Sequence, residues 1–587
     1  MGKKPIIIVL CLSFILQACS QQFGVEISKS EPTQSTPLAQ TSLLEIPIPN
    51  KGKEHHIGIR EGPSGMEFFD RNTGERFDPR GANYHRWVSR SSPGRGMITV
   101  DALFNTSFGQ LDQAEAELKQ MAAQGFNTVR VWKNACWGGV GGCIGSLQGG
   151  LSGPYLDNVT AFLKLAQKNN IYVIFTDDWV PDDGGYVQGM NRACCTDFDG
   201  YNMNYLTEPG ISAEKRYWED FIQGLIERNA PLENVLAYEL RNEGFYEAQL
   251  PPLNRSAGSV TTANGSTYDM ANQEDHKRMM EEGWLFWIEQ LTNSIKAIDP
   301  SALVTMGFFV QQEPHPVRQG DTRLVYLERV VRDSQLDFFD FHAYPGYDLN
   351  IQEHAENFAM TGMEDKLIII GEFGAAKQNF SSLERAAAGL QTWQVDSCMY
   401  GFDGWLLWTW GINPGSEFWN AGDGGGIVGK ILSPLERPDP CAYGEFDNIQ
   451  YNVAPKAAIK ASSAADGFPP QMVADGTSKY WNASALSPQW IELVLPNPTD
   501  IDSIVLTVAQ NPSGRSVHEI WVKQNNEQYE LVKTFDGITS EGDVLTFLPE
   551  EQLKDIGYVK VVTKSVLDLW PAWHEIEILT KKPPPVG

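Results

Sequence analysis

The run V-L-A-Y-E-L-R-N-E-G-F at Val235–Phe245 decides how the chain folds. It is apolar for most of its length and ends abruptly in Asn242-Glu243-Gly244. A strand buried in a parallel sheet reads as such a short apolar run, and ligands gather where these strands end at their carboxyl edge. Glu243 therefore stands where chemistry would stand. One carboxylate seldom suffices, so the rest of the chain must supply a second one and a scaffold that holds both.

Just upstream, Lys215–Arg228 carries Phe221, Ile222, Leu225 and Ile226 on one face, as a helix packed on a sheet does. The same alternation sets helix Tyr155–Lys168 before strand Ile171–Thr176, and a helix capped by Asp112 and ended by Gly125 before strand Asn127–Trp132. Downstream, Trp284–Ile298 is helical until Asp299-Pro300 and precedes strand Leu303–Phe308. Leu336–His342, Leu367–Ile370 and Gly404–Trp408 read as three further strands. With Gly81–Tyr84 the set reaches the eight helix-separated strands of an α/β fold of the (β/α)8 TIM-barrel kind. A doubly wound open sheet would want a Gly-rich phosphate loop after its first strand, and none follows Tyr84.

A barrel brings the carboxyl ends of all its strands to one mouth. There the apolar strand Ile368-Ile369-Ile370-Gly371-Glu372-Phe373-Gly374 supplies the second carboxylate, Glu372. Two glutamates ~5 Å apart can divide a glycosidic cleavage, one attacking the anomeric carbon while the other protonates the departing oxygen. The acid/base must keep its proton near neutrality, so its surroundings should raise its pKa. The nucleophile should be ionised, and a cation such as Arg130 would help.

The 587 residues exceed one ordinary domain, and 42% hydrophobic content permits a large core. The 17 tryptophans suit stacking on the C–H faces of sugars as well as core packing, and Trp132, Trp137, Trp179, Trp410 and Trp419 fall near the mouth. A net charge of −28 argues against nucleic acid, whose phosphates need clustered Lys and Arg. At the start, Lys3-Lys4, apolar Ile6–Leu16 and then Leu16-Gln17-Ala18-Cys19 have the layout of a secretory signal, too short to span a bilayer. Residues 19–54 are rich in Ser, Thr, Gln and Pro and read as a flexible tether, followed by a catalytic domain over 55–440. Pro434, Pro438 and Pro440 mark its end, and 447–583 turns to short alternating strands, the pattern of an all-β sandwich. Cys136, Cys143, Cys194, Cys195, Cys398 and Cys441 can form disulfides in an oxidising compartment, with Cys136/Cys143 the easiest local pair.

Together these motifs resemble the retaining glycoside hydrolases of clan A, and within them the family 5 cellulases and mannanases, over residues 60–430. The resemblance implies that Glu243, ending the fourth strand after Asn242, is the acid/base and that Glu372, ending the seventh, is the nucleophile. It implies that Arg130 supports the nucleophile and that Asn242 binds the sugar 2-hydroxyl. It also makes His342 and Tyr344 the sixth-strand His-x-Tyr pair and Trp408 the floor of the subsite where cleavage occurs. Two departures stand out. Thr176-Asp177-Asp178-Trp179 replaces the usual third-strand histidine, which puts Asp178 in a sugar-binding position, and Arg241 and Gly244 flank Asn242-Glu243 where many relatives have Pro after the Glu. Val129-Arg130-Val131-Trp132 and G-E-F-G lean toward β-mannan or a related hemicellulose, with β-glucan next. The same residues would serve a transglycosylase or an exo-β-glycosidase, whereas a non-catalytic surface glycan-binding lipoprotein would have lost a glutamate.

L-Q-A-C resembles a bacterial lipobox, which implies cleavage before Cys19, acylation of its thiol and a place in the cell envelope, lipid-anchored at the outer membrane or surface, or secreted. The C-terminal stretch resembles the discoidin-like family that includes many carbohydrate-binding modules, through Val473-Ala474-Asp475-Gly476-Thr477, Trp481, Gln489–Leu493 and Trp573–Ile578. That resemblance implies a structural calcium at Asp475 and Glu575, and sugar binding there would need exposed aromatics such as Trp570. The expectation is an enzyme with no cofactor for catalysis, acting as a monomer on a polysaccharide or oligosaccharide, held to a membrane by its lipid anchor and binding no nucleic acid.

Overall fold

A computed structural model describes residues 53–441 and 451–580, apart from 64, 93–95, 106–110, 137–142, 191–194, 310–321, 346–350, 361–362, 364, 378–379, 381, 412–415, 475–478, 526 and 567–568. The signal, Cys19 and all but the last two residues of the tether lie outside the described residues, as do Trp137, Cys194 and Asp475.

Eight parallel strands form the barrel: β1 (Arg80–Asn83), β2 (Thr128–Trp132), β3 (Tyr172–Thr176), β4 (Val235–Glu239), β5, β6 (Phe339–His342), β7 (Ile368–Phe373) and β8 (Gly404–Leu407). β5 is interrupted at Met306 into Leu303–Thr305 and Gly307–Phe308. Its first piece pairs with β4 and its second with β6, and β8 pairs with β1, so the ladder runs round. Every residue of β2 and β4 is buried, as expected of strands covered on both faces.

The main helices are α1 (Leu111–Ala123), α2 (Gly153–Lys168), α3 (Glu208–Glu227), α4 (Gln273–Ile298), α5 (Glu328–Asp333), α6 (Ile351–Asn357), α7 (Leu383–Cys398) and α8 (Ile427–Ile431). α3 begins earlier than its apolar periodicity suggests, because Thr207 caps it through the Gly210 N–H and Pro209 opens the first turn. Phe221, Ile222, Leu225 and Ile226 are buried as the pattern requires. α4 likewise starts before Trp284, where the Asn272 side chain accepts the Glu274 N–H, and ends at Asp299.

The two ends of the barrel are built differently. At the amino end, the hairpin Ile57–Gly62/Gly65–Asp70 sets Ile57 and Phe68 in one cluster with Leu236, Phe338, Leu367 and Ile369. Burying a side chain of this size is worth about 1.5–3 kcal/mol. At the carboxyl end lie the long connections. The segment after β3 holds short helices at Tyr186–Gly189 and Gly200–Leu206, the one after β4 holds the hairpin Ser259–Thr261/Thr267–Asp269, and the one after β1 holds the hairpin Trp87–Ser92/Gly96–Asp101. Disulfides join Cys136 to Cys143 and Cys398 to Cys441.

The C-terminal unit is all β. β9 (Ala458–Ala461), β10 (Gln489–Ile501), β15 (Leu553–Val566), β12 (Gly514–Gln524) and β13 (Glu530–Thr539) form one antiparallel sheet. β11 (Ser503–Val508), β14 (Val544–Phe547) and β16 (Ala572–Thr580), with short strands at Tyr451–Asn452 and Trp481–Asn482, form the other. Ile491, Leu493, Ile504, Leu506, Ile520, Val559, Val561, Ile576 and Ile578 alternate inward to make its core. Glu575 is buried on β16, and Trp570 is 50% exposed. Arg385 on α7 donates to Glu577 on β16 at 2.6 Å. Among the described residues no helix is long and apolar enough to cross a membrane.

Candidate active site

The barrel mouth is organised by Arg130 on β2, which is fully buried. Its five N–H groups are all used. Nε and one Nη2 hydrogen go to the two carboxylate oxygens of Glu239 at 2.7 and 2.6 Å, and Nη2 also reaches Asn242 Oδ1 at 2.7 Å. Nη1 donates to Asn83 Oδ1 at 2.9 Å and to Glu372 Oε1 at 2.7 Å. A guanidinium's planar fork suits such a lattice, and its charge offsets the cost of burying carboxylates. Asn83 in turn donates to the Gly371 carbonyl at 2.8 Å. Gly371 has to be glycine, since a Cβ there would lie 1.7 Å from an Asp340 carboxylate oxygen.

Glu372 takes a second hydrogen bond, from the Tyr344 hydroxyl at 2.6 Å, and its Oε2 lies 3.5 Å from His342 Nδ1. His342 Nδ1 also meets Glu243 Oε1 at 2.9 Å. Oxygens of the two glutamates and a nitrogen of His342 all lie within 4.8 Å of one another. The Glu243 side chain is 30% exposed and that of Glu372 only 5%, so Glu243 is the more open to the cleft.

The proton affinities depart from the sequence expectation, which had the fourth-strand glutamate raised and the seventh-strand one ionised. Burial raises Glu372 above the usual carboxylate range, opposed by His342, Arg130 and the Tyr344 hydrogen bond. Burial would raise Glu243 too, but the His342 hydrogen bond and charge outweigh it and hold Glu243 low. Burial disfavours the imidazolium of His342, yet Glu372 and Glu243 overcome this and push it up to about 9. The largest part of the lowering at Glu243 comes from its contact with His342, while the rise at Glu372 comes mainly from burial. Below it, burial and then the charge of Glu239 raise Asp340 well above the ordinary value. At Glu239, burial is overcome by the charge and hydrogen bonds of Arg130, which leave it low.

Asn242 has both ends of its amide engaged, Oδ1 by Arg130 and Nδ2 by donation to Asp178 Oδ1 at 3.0 Å. The half-buried Asp178 thus joins the site. The two departures around Glu243 also find a cause. Glu243 adopts φ +33°, a strained conformation for a residue with a side chain. Gly244 donates its N–H to the Gly307 carbonyl at 3.2 Å, a bond proline cannot make, and a Cβ there would sit 2.1 Å from Met306 Cε at the break in β5. Arg241 is buried, with its guanidinium 4.2 Å from the Tyr201 ring and its charge near Glu214 and Asp178. Burial pushes Glu214 up to about 7, Asp177 up to about 6 and Lys133 down to about 8, with Lys133 Nζ 3.2 Å from Asp177 Oδ2 and above the rings of Tyr217 and Trp218.

The family model described as cellulase (glycosyl hydrolase family 5) matches residues 95–414, more than half of the 587. The chain belongs to glycosyl hydrolase family 5. As a family 5 member it is a glycosyl hydrolase, and the F5/8 type C domain model matches residues 458–576 behind the catalytic barrel. No curated protein matches the chain. Solved structures similar to it include an endo-1,4-β-mannanase from Rhizomucor miehei, at 15% identity, 65% of this chain, 99% of that one and a TM-score of 0.45. Another is an endo-β-1,4-mannanase from Thermotoga petrophila, at 13% identity, 84% of this chain, 99% of that one and a TM-score of 0.43. A family 32 carbohydrate-binding module of Clostridium perfringens NanJ, solved with galactose, shares 17% identity over 22% of this chain and 100% of that one, at a TM-score of 0.21.

All eight barrel residues singled out in the sequence reach the mouth of this family 5 barrel. Trp408 is half-buried at the end of β8, in edge contact with Trp132 at 5.7 Å between centroids. Trp132 and Trp410 are buried, and Trp179 and Trp419 are half-buried. Sequence reasoning missed Glu239, Asp340, Asn83 and His85. The signal for the first two was present, because an acid inside an otherwise apolar buried strand demands a cationic partner and Arg130 was the one at hand. Glu239, Asp340 and His342, like Glu243, His342 and Glu372, bring donor atoms close enough for a cation. Arg130 already binds both oxygens of Glu239, so a metal there would have to displace a permanent charge from them.

Proposed function

We propose that this glycosyl hydrolase cleaves a β-linked polysaccharide with retention of anomeric configuration, with Glu372 as nucleophile and Glu243 as acid/base. The observation that carries this is that one carboxylate oxygen of each lies within 4.8 Å of the other. Retaining enzymes hold their carboxyl groups about 5–5.5 Å apart, whereas inverting ones leave about 6.5–9.5 Å for a water. In the first step Glu372 Oε2 attacks the anomeric carbon as the bond to the leaving oxygen breaks and that oxygen takes a proton. In the second, water loses a proton to Glu243 and attacks the same carbon, releasing Glu372. Arg130 and Tyr344 hold the nucleophile in place. Since His342 holds its proton up to about pH 9 and touches Glu243 at 2.9 Å, the two share one proton, and the pair rather than Glu243 alone supplies the acid. Asn242 and Asp178 face the sugar hydroxyls, and Trp408 floors the subsite.

The substrate reading is β-mannan or a related hemicellulose, then β-glucan, supported by V-R-V-W and G-E-F-G. The L-Q-A-C motif supports an acylated Cys19 and a lipid-anchored monomer at the cell envelope, and the exposed Trp570 supports glycan binding by the C-terminal unit. A calcium held by Asp475 and Glu575 remains part of this proposal. Digestion of purified β-mannan, β-glucan, xylan and galactan, with proton NMR of the first product, tests the whole reading. A β-anomer that mutarotates to the mixture is expected, and an initial α-anomer would refute retention.

A further inference from the structure

His85 follows β1 and has no part in the chemistry proposed above, yet it is 5% exposed and enclosed by three tryptophans. Trp87 stacks on it at 4.6 Å and Trp132 lies against it at 4.4 Å, tilted by 32°. Trp408 meets it edge to face at 5.1 Å and 69°. Its Nδ1 donates to Asp101 Oδ2 at 2.7 Å. Asp101 is itself fixed, since its Oδ1 accepts the backbone N–H groups of Arg86 at 3.0 Å and Leu103 at 3.2 Å. Nε2, on the opposite side of the imidazole, is buried and has no hydrogen-bond partner among the described residues.

Aromatic pairs prefer stacked or edge-to-face contacts, and Trp87 and Trp408 meet His85 in these two ways. Trp408 is thus packed against the imidazole. Rotating the ring would break the bond to Asp101, so the orientation of the imidazole is set by the hairpin that ends in Asp101. On the other side, Trp132 carries the Arg130 guanidinium 4.6 Å above its ring. A chain of contacts thus runs from Asp101 through His85 to Trp408 and to Trp132, the latter bordering the nucleophile's cation.

We infer that His85 and Asp101 are positioning residues that fix the plane of Trp408, and so the pose of the sugar at the cleavage subsite. The hairpin Trp87–Asp101 follows β1 directly. Its place in the enzyme is to deliver the carboxylate that orients His85. The inference rests on Trp408 being the subsite floor. A sugar distorted toward the transition state depends on that floor more than a relaxed one does, so the loss falls on kcat more than on KM.

The test is a double-mutant cycle on 2,4-dinitrophenyl β-mannobioside, or the β-cellobioside if β-glucan is the polymer digested. His85→Phe keeps a ring in the cage and removes the bond to Asp101, and Asp101→Asn removes the charge while leaving the ring stack intact. Each is expected to lower kcat about 10- to 100-fold with KM within about 3-fold of wild type, as a small misplacement of a subsite does. Added to Trp408→Ala, either one is expected to cost no more than about 2-fold further, because both act through the same ring. Losses that multiply, or an Asp101→Asn enzyme with wild-type kcat, would overturn the inference, and Asp101→Asn alone decides if His85→Phe does not fold. Full kcat in Trp408→Ala would remove the subsite reading along with it. A Trp408→Ala loss without an Asp101→Asn loss removes only the role of the pair.

Discussion

The two ends of the barrel use the same eight strands for opposite purposes. At the amino end Leu236, Phe338 and Leu367 meet Ile57 and Phe68 of the N-terminal hairpin in one apolar cluster. A few residues further along, the same strands and the turns that follow them present Glu239, Asp340, His342 and Glu372, buried around Arg130. The first arrangement gains free energy by removing apolar surface from water. The second has to desolvate charged groups, which several matched hydrogen bonds offset in part. At the same mouth Glu243 sits at φ +33°, a strained conformation for a residue with a side chain. The lesson is that this fold separates stability from chemistry along the strand axis, so mutations at the two ends should have separable effects.

The sharpest break comes at the mouth. Glu372→Ala is expected to lower kcat about 10⁴-fold or more while the protein stays folded, and azide should restore turnover with an inverted glycosyl azide as product. Wild-type kcat in that variant would remove the assignment. Glu243→Gln should lose about 10²- to 10⁴-fold on a natural glycan but far less on a dinitrophenyl glycoside, whose leaving group needs no proton. An equal loss on both would end its role as acid. At the floor the pattern reverses. Phe68→Ala should cost about 3–5 kcal/mol in denaturant unfolding and leave kcat of the folded enzyme unchanged.

The smallest effect concerns His342. Folding raises its pKa from the ordinary 6.5 to about 9, so the folded chain binds this proton more tightly than the unfolded one. The resulting stability is complete below pH 6.5 and is lost as the pH rises through about 9, up to about 3 kcal/mol in all. Thermal melting between pH 6.5 and 9 should show the decline in wild type and not in His342→Asn. The same substitution removes the cation that holds Glu243 low and opposes the rise at Glu372, so both limbs of the kcat/KM profile should move to higher pH. Unmoved limbs would sever the link between His342 and the acid.

Much of this was readable from the chain alone. All eight strands lie where apolar runs flanked by amphipathic helices place them, and the strand ends carry the residues expected there. The pairs that hold the site together were not readable. Glu239 lies within the opening V-L-A-Y-E-L-R-N-E-G-F, and its partner Arg130 is 109 residues away in sequence. His85 carries no local signal, because Trp87, Trp132 and Trp408 close round it only in the fold. The barrel-closing hairpin at Ile57–Asp70 was missed because two short strands carry little periodicity.

The sequence by itself determined the barrel, the sandwich behind it and the two glutamates at strand ends, because burial imposes a local pattern of apolar residues that any strand or helix must show. Only the tertiary structure decided which charges share a proton, why Gly244 stands after Glu243, and that burial lifts Glu372 while His342 holds Glu243 low. Those outcomes depend on distances of 2.6–3.5 Å between residues far apart in the chain, and pairwise electrostatics in a buried site changes sign with a single contact.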